Sequence, residues 1–412
     1  MGSGGVMMNN SLSIKNILIS IIKSIDVFNP LLEGHHKRTA IIAYQLGNSY
    51  GLEKQQLFDL VLAASLHDIG ALSIKEKVQL FEMDLENPEP HEIMGEQMLM
   101  GFKPFEKISK IIRYHHIQYE DIQSGRRDEK VIPLESYFIC LADRIDIMLM
   151  KTELGSNQIE TVIEEINKRF GDVFAPFLRE TFRQISLSPE FWNNIEFSSF
   201  QDLLFLSLED SFYNVCCGDV EELAIVFAKI IDYRSPWTTM HSQTVAEVAY
   251  RLAKLMKFPE EDCFDLKIAG YLHDIGKIAI PTEVLNKMGK LTKGEFETIK
   301  KHVIYSTLIL SPIKELGDIV ELVSNHHEKH DQSGYPLKLN SQKLTQQMDV
   351  LAFADIFSAL SEDRPSRKHM NPEMMKSTLA TFIPEKLSEN IYQVIIANFD
   401  ELLNLTTIQE RN

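Results

Sequence analysis

Two ionisable side chains, His273 and Asp274, stand side by side inside the apolar run YLHDIGKIAI, and the same pairing occurs earlier as His67 and Asp68 in ASLHDIGALSI. A carboxylate and an imidazole withdrawn from water are costly unless something offsets them, and a metal ion is an efficient offset. The echo extends along the chain. HHKRTAIIAYQLGNSYGL, starting at His35, matches HSQTVAEVAYRLAKLMKF, starting at His241. His91 answers His302, the doublet His115-His116 answers His326-His327, and Asp143 answers Asp355. The offset is 206 residues at His35 and His67, 211 at His91 and His115, and 212 at Asp143. Extra residues in the second copy therefore fall almost entirely between the His-Asp pair and the next histidine. Repeats in such near-constant register require one structural unit built twice.

Each of these positions lies on, or at the edge of, a segment with the apolar spacing of a helix. Gly and Pro are scarce, 19 and 15 of 412 residues, and no strand-like alternation is sustained. The expected architecture is all-α, with residues 8–217 forming the first domain and its connecting helices and residues 218–412 the second. Neighbours on a helix point about 100° apart. Each half of His273-Asp274 and of His326-His327 is thus able to face a different ion, with Asp274 reaching both, as in a two-metal site.

The order H…HD…H…HH…D resembles the HD superfamily of metal-dependent phosphohydrolases. NHHEKHDQSGYP and the later SEDRPSR carry the resemblance further, to the HD-GYP family of cyclic-dinucleotide phosphodiesterases. This resemblance implies a hydrolase that opens a cyclic dinucleotide, first of all cyclic di-GMP, to the linear dinucleotide. The metal ligands would be His241, His273, Asp274, His302, His326, His327 and Asp355, holding two divalent ions. Imidazole and carboxylate donors without a thiolate suit iron or manganese, with nickel, cobalt and zinc also compatible. Asp274 and Lys277 would carry the chemistry. Lys277 lies one turn from Asp274, within reach of a phosphate oxygen or of a leaving alkoxide that needs a proton. Lys277, Tyr335, Arg364 and Arg367 would contact substrate, with the Tyr335 ring able to stack on a base.

The first copy keeps a second candidate metal site, His35, His67, Asp68, His91, His115, His116 and Asp143. It has Ala71 where the second has Lys277, and no GYP sequence, so a regulatory or scaffolding role is expected of it. The second copy departs from its family as well. Some members carry a metal-binding glutamate where Trp237 stands, so two ions are expected rather than three. An aspartate is usual at Ser358, and a glycine is common at Ser306 and at Gln332. A phosphodiesterase for cyclic GMP-AMP, or a catalytically silent cyclic-dinucleotide sensor, remains an alternative.

Net charge narrows the partners. At −17, the surface repels nucleic-acid polymers, while a small anion can still be held in a cationic cleft. No apolar run reaches about 18 residues, so no membrane span is expected. Cys140, Cys216, Cys217 and Cys263 show no metal spacing and read as reduced thiols of a cytoplasmic protein. A homodimer is compatible with the sequence.

Overall fold

Apolar side chains at i, i+3, i+4 and i+7 select the buried face of the first helix in each copy. Val245, Val248, Ala249 and Leu252 are buried in the second, and Thr39, Ile42, Ala43 and Leu46 take the same places in the first. The computed structural model describes residues 12–13, 16, 20, 34–71, 89–151, 158–197, 214–215, 217–232, 240–363 and 368–408. The chain divides into two units, Asn29–Asn214 and Val215–Asn412, the latter taking in Met1–Phe28.

Both units are helical, and β-structure among the described residues amounts to the two-residue stretches Leu12–Ser13 and Asn214–Val215 and an isolated bridge between Phe170 and Phe174. The first unit contains α1 (His35–Tyr50), α2 (Lys54–Leu66), α3 (Glu89–Leu99), α4 (Glu106–Ile112) and α5 (Leu134–Lys151). In the second, α6 (Cys217–Asp232) precedes α7 (His241–Leu255), α8 (Glu260–Leu272), α9 (Lys293–Leu310), α10 (Gly317–Asn325) and α11 (Gln346–Ser361). In order along the chain, α7 to α11 answer α1 to α5.

Local chemistry sets the helix ends. Thr292 and Glu295 form a reciprocal capping box at the start of α9, and Glu260, Glu261 and Asp262 supply negative charge to the first turn of α8. At α7, Met240 offers no side-chain cap. Asp232 from the end of α6 does so instead, accepting hydrogen bonds from the Ser242 hydroxyl at 2.8 Å and its backbone N–H at 3.3 Å. Burial pushes the Asp232 carboxyl up to about 7.

The run Tyr271–Ile280, read from sequence as one buried helix, is not continuous. α8 stops at Leu272, His273 and Asp274 lie in a turn, and Ile275–Ala279 forms a tighter 3₁₀ segment. Gly276 gives the reason. A Cβ there would fall 1.9 Å from the His302 carbonyl oxygen and 2.4 Å from the Ser306 nitrogen, so the turn lies directly against the α9 backbone. Gly70 repeats this in the first unit, where a Cβ would meet the His91 carbonyl at 2.1 Å and the Gly95 nitrogen at 2.5 Å. Among the described residues, no helix is long and apolar enough to cross a membrane.

Gly276→Ala should therefore destabilise the protein by at least about 3 kcal/mol, the upper end of overpacking costs, since backbone cannot yield as a side chain does. Gly294→Ala, on α9 with nothing within 4 Å, is the control and should be neutral or mildly stabilising. Thermal melts of both variants check the contrast.

Candidate metal centre

Helix ends converge to build the second-domain cluster. His241 opens α7, His273 and Asp274 follow α8, His302 lies within α9, His326 and His327 follow α10, and Asp355 lies on α11. All seven residues singled out from sequence meet in one place. Nitrogens of His302, His326 and His327 lie within 4.8 Å of one another, as do donor atoms of His241, His273 and Asp355. Asp274 stands between the two groups. Its Oδ1 lies 3.4 Å from His302 Nε2, while its Oδ2 lies 3.2 Å from His273 Nε2 and 3.9 Å from His241 Nε2. One carboxylate thus divides its oxygens between two sets of imidazoles.

The rings are turned so that Nε2 faces inward. Nδ1 of His273 donates to the Gly270 carbonyl at 2.8 Å, that of His302 to Ile299 at 2.6 Å, and that of His326 to Val323 at 2.7 Å. With its proton held at Nδ1, a neutral imidazole presents the Nε2 lone pair, the usual preparation of a metal-ligating histidine. Nε2 of His302 and of His326, together with Asp274 Oδ1, are buried and make no hydrogen bond. Buried polar atoms left this way require an explanation, and a divalent cation fits these donors.

Electrostatics agree. Burial pushes His302 down to about 4, with Asp274 opposing the shift. Burial, then the neighbouring His273 and His302, push His326 down to about 3. Both rings are therefore neutral near pH 7 and free to donate electron pairs. Burial pushes the Asp274 carboxyl up, but His273, Lys277 and His302 outweigh it and hold that group well below the usual carboxylate range.

Lys277, on the 3₁₀ segment, hydrogen-bonds Asp274 Oδ2. The Tyr335 ring packs on His327 at 4.8 Å between centroids, and its N–H donates to the His327 carbonyl at 3.3 Å. Gly334 is required there, since a Cβ would meet Glu328 Cα at 2.5 Å and the His327 carbonyl at 2.6 Å. Beyond Tyr335, the buried Glu328 carboxylate accepts hydrogen bonds from the backbone of Leu337, Lys338 and Leu339 at 2.6–3.0 Å, fixing this loop. Two departures from the family pattern also acquire a physical reading. Gln332 adopts φ 60°, a left-handed conformation suited to the glycine common at this place. The Ser306 hydroxyl donates to the His273 carbonyl at 3.1 Å and accepts the Gly276 N–H at 2.9 Å, tying the His-Asp turn to α9. Arg364, Arg367 and Trp237 lie outside the described residues.

The first-domain set is assembled in the same way. His35 Nε2 lies 3.3 Å from Asp143 Oδ1, the distance also found between His241 and Asp355. Asp68 Oδ2 lies 3.4 Å from His67 Nε2, while its Oδ1 lies 3.6 Å from His115 and 3.8 Å from His91. His116 completes the group. The surroundings differ. The buried Arg144 places Nη2 3.0 Å from His116 Nδ1 and Nε 3.4 Å from Asp143 Oδ2. Glu92 accepts the His116 N–H at 3.1 Å. The side chains of Asp143 and His116 are 2% and 3% exposed, against 14% and 26% for Asp355 and His327, so the second cluster is open to solvent where the first is closed.

Sequence reasoning missed Glu328, Glu362, Asp146, Arg144 and Glu92. Glu328 carried a signal as the residue following the His doublet, and Asp146 carried one as the aspartate usual three residues after the last metal aspartate.

Comparison with known proteins places these observations in a family. Two stretches, residues 32–148 and 225–379, match the HD domain. The chain is 29% identical over 387 residues to 3'3'-cGAMP-specific phosphodiesterase 1 of Vibrio cholerae, a match covering 90% of this chain and 88% of that protein. It is 32% identical over 200 residues to a cyclic di-GMP phosphodiesterase of Thermotoga maritima, 48% of each chain. A crystal structure of a cyclic GMP-AMP-specific phosphodiesterase of V. cholerae aligns with TM-score 0.63 at 22% identity, over 95% of this chain and 98% of that one, a likeness of fold.

Ser306→Ala leaves the buried Gly276 N–H without its acceptor and should cost about 1–3 kcal/mol. A lowered melting temperature checks this; an unchanged one removes the tie between the His-Asp turn and α9.

Proposed function

With two HD domains in tandem this chain belongs to the HD domain family, and from that premise we propose that its second domain is a metal-dependent phosphodiesterase opening a cyclic dinucleotide. The observation that carries this reading is the division of Asp274 between two imidazole groups, with Lys277 on the same carboxylate and Tyr335 over the open side. His241, His273 and Asp355 would hold one divalent ion and His302, His326 and His327 the other, with Asp274 shared. Iron or manganese suits these nitrogen and oxygen donors, and nickel, cobalt and zinc are compatible. When bound, such a pair supplies Lewis acidity toward phosphate and lowers the pKa of water.

The remaining roles belong to the chain itself. Lys277 stabilises the phosphate oxygens and delivers a proton to the departing alkoxide. The Tyr335 ring, backed by His327, offers a face on which a purine stacks. Arg364 and Arg367 are assigned to the rest of the anionic ring by resemblance. Because the indole of Trp237 is no substitute for a carboxylate ligand, a third ion is not expected, and the linear dinucleotide should be the main product. The relative matched across both domains is named for 3'3'-cGAMP, which moves cyclic GMP-AMP to first place as substrate. Cyclic di-GMP, favoured by motif resemblance and by the Thermotoga relative, is second. The first domain, with Ala71 for the lysine, Arg144 on its ligands and no open side, is assigned a regulatory or scaffolding role.

Product analysis by chromatography, with Mn(II)- or Fe(II)-loaded protein and each ring in turn, tests the reading. The expected result is conversion of at least one ring to its linear form, with mononucleotide late or absent; no turnover of either sinks it. Lys277→Ala should keep its metal while turnover falls by about two to four orders of magnitude. Asp274→Ala should lose one or both ions, as counted by elemental analysis.

A further inference from the structure

Each copy fixes its first cluster histidine with a carboxylate, yet the two carboxylates come from different places. In the first domain Asp146, three residues after Asp143 on α5, accepts from His35 Nδ1 at 2.7 Å, and Arg38 Nε lies 2.6 Å from its other oxygen. The matching position on α11 is Ser358, completely buried, with an Oγ that makes no hydrogen bond. The position matching Arg38 is Thr244, whose hydroxyl turns back to the Met240 carbonyl at 2.9 Å. At His241 Nδ1 stands Glu362 instead, one residue beyond the end of α11, with Oε2 at 2.9 Å.

We propose that Glu362 is the positioning residue of His241, a carboxylate recruited from past the helix end to replace the aspartate missing at 358. This rests on the metal-dependent reading given above. A neutral imidazole carries one N–H, and a carboxylate at Nδ1 holds the proton there. The Nε2 lone pair is then left facing Asp355 Oδ1 at 3.3 Å, where an ion would sit. The other rings of this cluster that are anchored through Nδ1 use a carbonyl three residues back on their own helix. His241 is the first residue of its helix, so a carbonyl three residues back would not belong to that helix, and the acceptor found at its Nδ1 is Glu362. Both copies use a carboxylate here. In the second, that carboxylate has moved from mid-helix to the partly exposed chain beyond it.

The test is Mn(II) titration of the full-length protein, followed by calorimetry, for wild type, Glu362→Ala, Glu362→Gln and the double variant Glu362→Ala/Ser358→Asp. Circular dichroism confirms that each is folded. Loss of a partner of this kind weakens metal binding by about 10–100-fold, so one class of Mn(II) should weaken by that factor in Glu362→Ala. Glu362→Gln, whose side-chain carbonyl still accepts from Nδ1–H, should weaken less. Aspartate at 358 should return most of the lost affinity. A wild type that takes up no metal ends the metal-dependent reading itself. A metal-binding wild type whose affinity Glu362→Ala leaves unchanged overturns the role of Glu362. So does a folded double variant no tighter than Glu362→Ala, or a change confined to the melting temperature.

Discussion

The second domain is organised around a charged carboxylate buried among imidazoles that must stay neutral. Asp274 is held ionised by its neighbours, while burial keeps His302 and His326 from taking protons. Rings in this state serve as donors only if each is told which nitrogen to protonate. The instruction comes from backbone: His273, His302 and His326 each give the Nδ1 proton to the carbonyl three residues earlier. His67 and His115 do the same in the first domain. Four of these five follow the end of a helix, where last-turn carbonyls have no partner within the helix. The fold thus turns the unsatisfied ends of α2, α4, α8 and α10 into supports for ligands.

That economy explains why so much was legible in the sequence. A histidine at a helix end and a glycine where two backbones touch leave a mark at fixed spacing, and the duplication displays each mark twice. Gly70 and Gly276 keep the offset of 206 residues, and both lie against the carbonyl of the next cluster histidine. The break after α8 was not legible, because an apolar run alone does not separate a continuous helix from one that gives way to a 3₁₀ turn. Partners joined only through tertiary structure were hidden as well. Glu362 meets His241 across 121 residues and Asp146 meets His35 across 111, and no spacing rule links either pair. Glu328 was marked by its place after the His doublet, but its bonds to the backbone of Leu337, Lys338 and Leu339 were not.

The two copies show how one scaffold is turned toward different ends. Most histidine–aspartate distances in the two sets are nearly the same, although His91 and His115 bring their Nε2 atoms to 3.2 Å where those of His302 and His326 make no hydrogen bond. The layer around them differs. In the second copy Lys277 reaches the shared aspartate, and a loop tied by Glu328 brings Tyr335 over an accessible imidazole. In the first, the matching lysine position is Ala71 and a buried guanidinium rests against His116 and Asp143. Arg144 thereby supplies to His116 and Asp143 a positive charge of the kind that Lys277 supplies to Asp274.

The closure of the first cluster bears on time rather than on affinity. A ligand set open to water exchanges its ion as fast as the coordination bonds permit. One enclosed by packed helices exchanges only when the domain opens locally, an event governed by the free energy of that opening. Any ion held by His35, His67, Asp68 and their partners would therefore be fixed largely when the chain folds, a record of the metals present at synthesis. The second cluster would instead follow the metal pool of the moment.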